Sequence, residues 1–364
     1  MGELTYPFEG WPEPGTTREI AAGVRWLRMP MPGSLNHINL YALEDEAGWT
    51  LVDMGLGDEA TRDLWEQLFS GDLAGKPVQR LLATHMHPDH VGQAGYLSER
   101  WQAPLYMTRG EYYQARAFSH GGGMSSISWE GEAFYRGAGL TEDDLAAMRK
   151  SFGGGYGASI TPLPLGHHRL QQGDVLTIGG RDWQVLIGSG HSPEHACLYC
   201  RQLGILIAGD QVLPVITSNV SVHPNEPVAN PLKEWLESHD RFLSLPDETL
   251  VLPAHGEPFR GLRKRLRALI AHHEERMLAL EEYCTTAAVA RDMLPVLFRR
   301  KLDTRQMIMA LGECIAHLHL LMYRDRIERV TGEDGIWRFR SIDPDLARRL
   351  RAERDTPDDG PMMV

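Results

Sequence analysis

Residues 84–90, with the sequence THMHPDH, concentrate three histidines and a carboxylate directly after a predicted strand. His85 and His87 project to the same side of an extended chain, because alternate residues share a face, and can therefore share one ion. Pro88 suits the first turn of a helix, so the Asp-His pair behind it is expected near a helix N-terminus, available to a second ion or a bound water. Imidazole is a common metal ligand at neutral pH, and carboxylates suit hard cations. The cluster indicates a metal site rather than a solvated histidine-rich loop.

The whole chain limits the classes of protein that can carry this cluster. Its 364 residues suggest two domains. The net charge of −12 gives no general attraction to nucleic acid or to an anionic membrane. No apolar run approaches the roughly 20 residues that span a bilayer. The N-terminus carries no basic region followed by an apolar core, so no secretory signal is expected and no membrane partner is predicted.

The four cysteines give a weaker signal. Cys197 and Cys200 have CxxC spacing, but they fall in a predicted strand, where positions three apart face opposite sides. No second CxxC accompanies them. Buried core thiols are therefore favoured over a zinc or redox site, and a reduced cytoplasmic protein is the simplest interpretation.

Predicted strands alternate with helical patterns as far as about residue 260, which indicates an α/β fold. The strands expected are Val24–Met29, Ile38–Leu43, Trp49–Asp53, Val78–Ala83, Pro104–Met107, Val175–Ile178, Trp183–Ile187, Ala196–Cys200, Gly204–Ala208 and Thr249–Pro253. An amphipathic helix is expected from Asp58 to Phe69. From about 109 to 165 the pattern loosens into a Gly-rich insert, in which a helix is predicted over 141–152. Such inserts usually form lids or surface loops.

The remainder of the chain differs in character. One long helical pattern runs through Tyr283 and a second begins at Asp303-Thr304. Residues 331–335, TGEDG, are a strong hairpin signal between two predicted strands. We therefore divide the chain into a domain at 1–260 that contains the insert, a mostly helical, winged-helix-like domain at 261–354, and a disordered tail at 355–364.

Three further polar residues are candidates for the same metal site as the cluster at 84–90. His191 lies just beyond one apolar strand, Asp210 ends another, and His255 follows a third. Open α/β sheets form their sites at the carboxyl ends of their strands, so these side chains are expected to converge on the histidine cluster.

Together these residues resemble the metallo-β-lactamase superfamily. Its pattern is present in order, from Asp53 through the box at residues 85–90 to His191, Asp210 and His255. The resemblance covers about residues 20 to 260. It implies an αββα sandwich with a two-metal site at one edge. The segments 209–214 and 252–259 carry a closer resemblance, to a glyoxalase-II-like hydrolase with a helical or winged C-terminal extension.

The resemblance also implies a role for each residue. The metal ligands implied are His85, His87 and His191 for the first ion, Asp89, His90 and His255 for the second, and Asp210 as a bridge between them. Asp53 is implied to fix a ligand imidazole from outside. The cofactors expected are two divalent ions, predicted to be zinc, with iron or manganese left open because His/Asp sets accept all three.

Three functions are compatible with these residues. The first is a small-molecule hydrolase in which a metal-bridging hydroxide attacks a thioester, ester or lactone carbonyl and Asp89 helps to manage the proton. The second is a phosphodiesterase or endoribonuclease whose C-terminal domain binds nucleic acid, based on the basic clusters after Arg260 and at 299–301. For these clusters a solvated helix face or a dimer contact is favoured. The third is a non-catalytic module, which the complete ligand set disfavours. A homodimer is left open.

Some residues are weaker candidates. His37 and His195 are each either neighbours of the metal site or ordinary structural histidines. Tyr156, in the insert, either lines a pocket or packs in a lid.

Overall fold

The computed structural model describes residues 4–33, 35–119, 128–151 and 155–355. The chain forms two compact units, each assembled from three segments. The first consists of Met1–Ser126, Phe152–Ser218 and Glu234–Ala268, and the second of Ile127–Ser151, Asn219–Lys233 and Leu269–Val364. The middle of the predicted insert thus belongs to the second unit, and its two ends belong to the first.

Two sheets form the framework of the first unit. The seven-stranded sheet runs in chain order through β1 (Thr17–Ala21), β2 (Val24–Pro30), β3 (His37–Asp45), β4 (Gly48–Val52), β5 (Val78–Leu82), β6 (Leu105–Thr108) and β7 (His168–Leu170). The five-stranded sheet consists of β8 (Val175–Ile178), β9 (Arg181–Gly188), β10 (His195–Cys200), β11 (Ile205–Gly209) and β12 (Leu250–Pro253), in the spatial order β12-β11-β10-β9-β8. Strands β4 to β7 pair in parallel, as do β11 and β12, whereas the other pairs in these sheets are antiparallel.

The two faces of the larger sheet pack in different cores. Along β3, Leu40 and Ala42 join a buried apolar cluster that contains Trp65 and Leu97 from helices. The alternate residue Tyr41 joins a second cluster, which contains residues of the smaller sheet. Successive side chains of a strand point to opposite faces, so the chain builds a helix layer and a second sheet on the two sides of one sheet. This is the mixed α/β metallo-β-lactamase fold expected from the sequence.

Eight α-helices lie between residues 59 and 283 in the described part of the chain. They are α1 (Glu59–Ser70), α2 (Pro88–Val91), α3 (Ala94–Trp101), α4 (Arg109–Ala117), α5 (Trp129–Gly137), α6 (Glu142–Ser151), α7 (Pro231–Leu243) and α8 (Leu262–Tyr283). Asp58 caps α1, because its side chain accepts a hydrogen bond from the Thr61 amide at 2.8 Å. The predicted helix at 141–152 is α6.

Helices α4 and α5 were not predicted. In α4 the buried residues are Glu111, Tyr112 and Ala115, so a carboxylate occupies the face that should be apolar and the helical hydrophobic pattern is interrupted. The same region also contains the 3₁₀ helix Tyr156–Ser159.

The second unit contains the remaining elements. They are a 3₁₀ helix (Ala290–Met293), α9 (Leu294–Leu297), α10 (Thr304–Tyr323), the hairpin of β13 (Ile327–Thr331) and β14 (Trp337–Ser341), and α11 (Leu346–Asp355). The predicted second long helix and the predicted hairpin are confirmed. Asp355 ends α11, and the rest of the predicted disordered tail, 356–364, lies outside the described residues.

All four cysteines are free and buried, which confirms their prediction as core thiols. Over the described ranges, no helix combines the length and the apolar character that crossing a membrane requires.

Candidate metal centre

The seven predicted ligands lie at the carboxyl ends of strands from both sheets of the first unit. The four in the box at 85–90 follow β5. His191 follows β9, Asp210 follows β11, and His255 follows β12. The sandwich therefore brings together side chains that are up to 170 positions apart in the sequence.

One group of four potential ligands surrounds a common point. Ligand atoms of His85, His87, His191 and Asp210 all lie within 4.8 Å of one another. His85 Nε2 is 2.8 Å from His87 Nδ1 and 3.2 Å from His191 Nε2. Asp210 Oδ2 is 3.4 Å from His191 Nε2.

A second group lies beside it. Ligand atoms of Asp89, His90 and His255 also lie within 4.8 Å of one another. Asp89 Oδ2 is 3.6 Å from His90 Nε2 and 3.4 Å from His255 Nε2. Asp210 contacts this group too, because its two oxygens lie 3.6 Å from His90 Nε2 and 3.4 Å from His255 Nε2. One carboxylate is thus shared between the two groups.

The protonation chemistry of these residues fits a pair of bound cations. Burial lowers the pKa of His87 to about 3, and burial together with neighbouring imidazoles lowers the pKa of His85 well below its usual value. Burial opposes charge on His255, but the carboxylates of Asp210 and Asp89 raise its pKa overall. His90 Nε2 and Asp210 Oδ1 are buried without a hydrogen-bond partner in the part of the chain that the structure describes. In the first group, the unprotonated imidazoles of His85 and His87 face a carboxylate, as a divalent metal requires. In the second group, the neighbouring carboxylates raise the pKa of His90 and of His255, so a bound cation would take the place of their protons.

Outer hydrogen bonds fix the orientation of the rings. Asp53 Oδ2 lies 2.8 Å from His90 Nδ1, which leaves Nε2 directed at the second group. The Nδ1 of His255 donates to the backbone carbonyl of His37 at 2.8 Å. The His37 ring lies close behind, where its Nε2 accepts from the Gly256 amide at 3.0 Å. Such partners normally set the tautomer of a metal-binding histidine.

His195 contacts two of the proposed ligands, His85 and Asp210. Its ring stacks on His85 with centroids 4.7 Å apart, and its Nε2 accepts the amide hydrogen of Asp210 at 3.1 Å. Gly209 has a positive φ of 50°, and a Cβ there would lie 2.6 Å from the His195 ring. Only glycine permits this close approach.

Two residues of the insert also reach the ligand-bearing segments. Glu111, which the sequence did not single out, accepts backbone hydrogen bonds from Met86 and Glu194. Tyr156 donates its hydroxyl to the carbonyl of Met86. The signal that could have drawn attention to Glu111 is a carboxylate on the otherwise apolar face of α4.

Comparison with known proteins agrees with this geometry. Residues 33–255 match the profile of the metallo-beta-lactamase superfamily. The chain belongs to this superfamily. Residues 277–342 match the metallo-beta-lactamase-like C-terminal domain. This match covers most of Leu269–Val364, the last of the three segments of the second unit.

Individual proteins similar to this chain match it over most of its length. A beta-lactamase domain protein from Burkholderia ambifaria is 44% identical, and its crystal structure superposes with a TM-score of 0.87 over 93% of this chain and 98% of that one. The probable metallo-hydrolase YqjP of Bacillus subtilis is 26% identical over 86% of this chain and 95% of its own. The acyl-coenzyme A thioesterase MBLAC2 of Gallus gallus is 25% identical over 68% of this chain and 82% of its own. The family match and the ligand geometry identify the chain as a metallo-hydrolase of the superfamily.

Proposed function

We propose that this protein is a binuclear metal-dependent hydrolase of a small-molecule thioester, ester or lactone, of the glyoxalase-II-like or acyl-thioesterase type. The observation that carries the proposal is the position of Asp210, whose carboxylate lies 3.4–3.6 Å from imidazoles of both ligand groups. Similarity to an acyl-coenzyme A thioesterase supports a thioester as the first substrate class to test.

We assign His85, His87 and His191 to the first ion, Asp89, His90 and His255 to the second, and Asp210 to both. Zinc is the metal proposed, with iron and manganese as alternatives. When bound, two such ions lower the pKa of a water toward neutrality and polarise a substrate carbonyl. Asp53 holds His90 in the required tautomer. Asp89 is the carboxylate that we assign to proton transfer, since it lies between two imidazoles of the second group.

A substrate panel tests the proposal. Acyl-coenzyme A, glutathione thioesters, esters, lactones and a short single-stranded RNA are offered to protein loaded with zinc, iron or manganese. We expect hydrolysis of a thioester or another carbonyl substrate by the loaded protein, and loss of turnover on chelation or in His87→Ala. The exposed His168, which lies outside both ligand groups, provides the matched control His168→Ala. Full turnover by metal-free protein or by His87→Ala would refute the proposal.

The nuclease alternative has less support. Three arginines of the basic cluster after β12 bind backbone carbonyls of their own unit: Arg260 that of Glu248, Arg263 that of Leu245, and Arg265 those of Leu213 and Ile216. Side chains committed in this way stabilise the fold and are less available to phosphates. Cleavage of the RNA with no activity on carbonyl substrates would favour the alternative.

We also propose that the second unit is winged-helix-like, since the β13–β14 hairpin follows long helices. Four free thiols suit a reducing compartment, and on that ground we propose a cytoplasmic location.

A further inference from the structure

The residue between two proposed ligands of the first metal is held on both sides by the insert. Met86 separates His85 from His87, so its backbone sets the spacing of the two imidazoles. Its amide donates to Glu111 Oε2 at 2.9 Å. Its carbonyl accepts a hydrogen bond from the hydroxyl of Tyr156.

The same carboxylate reaches the segment that carries the third histidine. Glu111 Oε1 accepts the amide hydrogen of Glu194, three residues beyond His191, at 2.8 Å. Glu111 is fully buried, and both of its oxygens are used in these two bonds. It thereby joins two ligand-bearing segments that lie about a hundred positions apart in the sequence.

Glu194 in turn fixes the start of α4. Its Oε2 accepts the amide hydrogen of Gly110 at 2.7 Å, and its carbonyl accepts the hydroxyl hydrogen of Thr108 at 2.8 Å. The helix that carries Glu111 and the segment that carries His191 therefore fix each other's position.

We propose that Glu111 and Tyr156 are positioning residues for the first metal. Glu111 fixes the backbone beside His85, His87 and His191, and Tyr156 fixes the backbone between the first two. Neither offers a ligand itself. An apolar side chain at position 111 would fill the same volume at a lower desolvation cost, so simple packing does not account for a buried carboxylate there. The inference rests on the proposed function, because it takes these three histidines as metal ligands.

The test uses the full chain, prepared metal-free, with Glu111→Gln and Tyr156→Phe. Glutamine keeps the volume of glutamate, but its amide nitrogen faces one of the two backbone N–H groups and cannot accept from it. Zn²⁺ is titrated by calorimetry, and amide hydrogen exchange is followed at Met86 and Glu194 in the metal-free protein. Tyr156→Phe removes a single hydroxyl and serves if Glu111→Gln fails to fold.

We expect each variant to weaken one of two Zn²⁺ sites by about tenfold to hundredfold, the range that loss of a group supporting the ligands from outside commonly gives. The other site should change much less. In Glu111→Gln, exchange should accelerate at whichever of the Met86 and Glu194 amides faces the glutamine nitrogen, and exchange should not accelerate in the controls.

Two control variants match the changes. Tyr112→Phe removes a buried phenol on the same helix, one that donates its hydroxyl hydrogen to the backbone carbonyls of Pro164 and Leu165. Glu313→Gln replaces a buried carboxylate in the second unit.

The outcomes separate the inference from the proposed function. If the wild-type protein binds no Zn²⁺, the proposed function fails, and amide exchange alone then decides whether Glu111 holds the two segments. If the wild-type protein binds two Zn²⁺ and the variants match it, or lose no more affinity than the controls, the inference is wrong. Unchanged exchange at both amides in Glu111→Gln also overturns it.

Discussion

Asp53 shows how much one residue contributes to the site. It adopts a left-handed conformation with φ of 61°, which is unfavourable for most side chains and tolerated best by Gly, Asn and Asp. Its carboxylate receives the amide and hydroxyl of Thr84 at 2.7 and 2.8 Å and contacts His90 Nδ1 at 2.8 Å. These three contacts oppose the backbone strain, so the local conformation and the orientation of His90 depend on each other.

Asp53→Asn is expected to weaken metal binding while the fold is retained. Asparagine tolerates the left-handed backbone, but its amide nitrogen replaces one acceptor oxygen and leaves His90 or Thr84 without a partner. We expect Zn²⁺ affinity to fall about tenfold to hundredfold, measured by titration of the metal-free variant with circular dichroism as the test of folding. Asp182→Asn, at an exposed position of β9, is the control. An affinity equal to wild type would show that Asp53 does not fix His90.

The buried position of Glu313 makes the stability of the protein depend on pH. Burial raises the pKa of this carboxyl from 4.5 to about 7, although Arg276 lies 3.6 Å away. Between these two pKa values the folded state binds more protons than the unfolded state. The contribution of Glu313 to the free energy of unfolding therefore falls as the pH rises toward 7 and is constant above it. Glu313→Gln removes this dependence. The two proteins should match below about pH 4, where Glu313 is protonated in both states. Near about pH 8 the unfolding free energy of the variant should exceed that of wild type, by about 1.4 kcal/mol for each unit of pKa shift.

Denaturant unfolding of both proteins across this pH range measures the difference. A constant difference between them would contradict the assignment to Glu313.

At the scale of elements, α10 begins with a reciprocal cap. Asp303 accepts the amide hydrogen of Gln306 at 2.9 Å, and the Gln306 side chain accepts the amide hydrogen of Asp303 at 3.3 Å. The pair satisfies two amides that would otherwise lack partners at the helix N-terminus.

Asp303→Ala should therefore destabilise the protein by about 1 kcal/mol. Asp303→Ser, which keeps a capping oxygen, should lose much less. Chemical denaturation of the three proteins checks the order, and equal losses for Ala and Ser would rule out capping as the cause.

The elements also show what the sequence could predict. Strands β2 to β6, strands β8 to β12 and helix α1 were located closely, because apolar patterns and a capping Asp58 mark them directly. Strands β1 and β7 were not predicted. The converging positions of His191, Asp210 and His255 followed from their places after apolar strands. The anchoring by Glu111 could not be predicted, because it bonds to backbone amides 25 and 83 residues away and backbone partners leave no trace in a side-chain pattern. The resemblance, rather than spacing, supplied the division of ligands between two ions.

At the scale of the whole molecule, bound metal should act as a stabilising ligand. A ligand at about 100 times its dissociation constant adds about 2.7 kcal/mol to the unfolding free energy. Chelation is therefore expected to lower the melting temperature by several degrees. Secondary structure should persist, because the apolar clusters on the two faces of the larger sheet include none of the proposed ligands.

Calorimetry before and after chelation, with metal analysis and re-addition of zinc, makes the comparison. An unchanged melting temperature after verified metal removal would contradict the prediction, because it would mean that the folded state binds the metal no more tightly than the unfolded state does.

The division of the ligands between the two sheets has a consequence for how this hydrolase could change over time. His85 and His90 follow a strand of one sheet, while Asp210 and His255 follow strands of the other. A buried layer of aliphatic and aromatic side chains, among them Leu198 and Trp183, packs between the sheets. We expect the width of that layer to influence the distance between the proposed ligands that the two sheets contribute. Ion preference is therefore open to adjustment by substitutions deep in the sandwich that never touch a ligand.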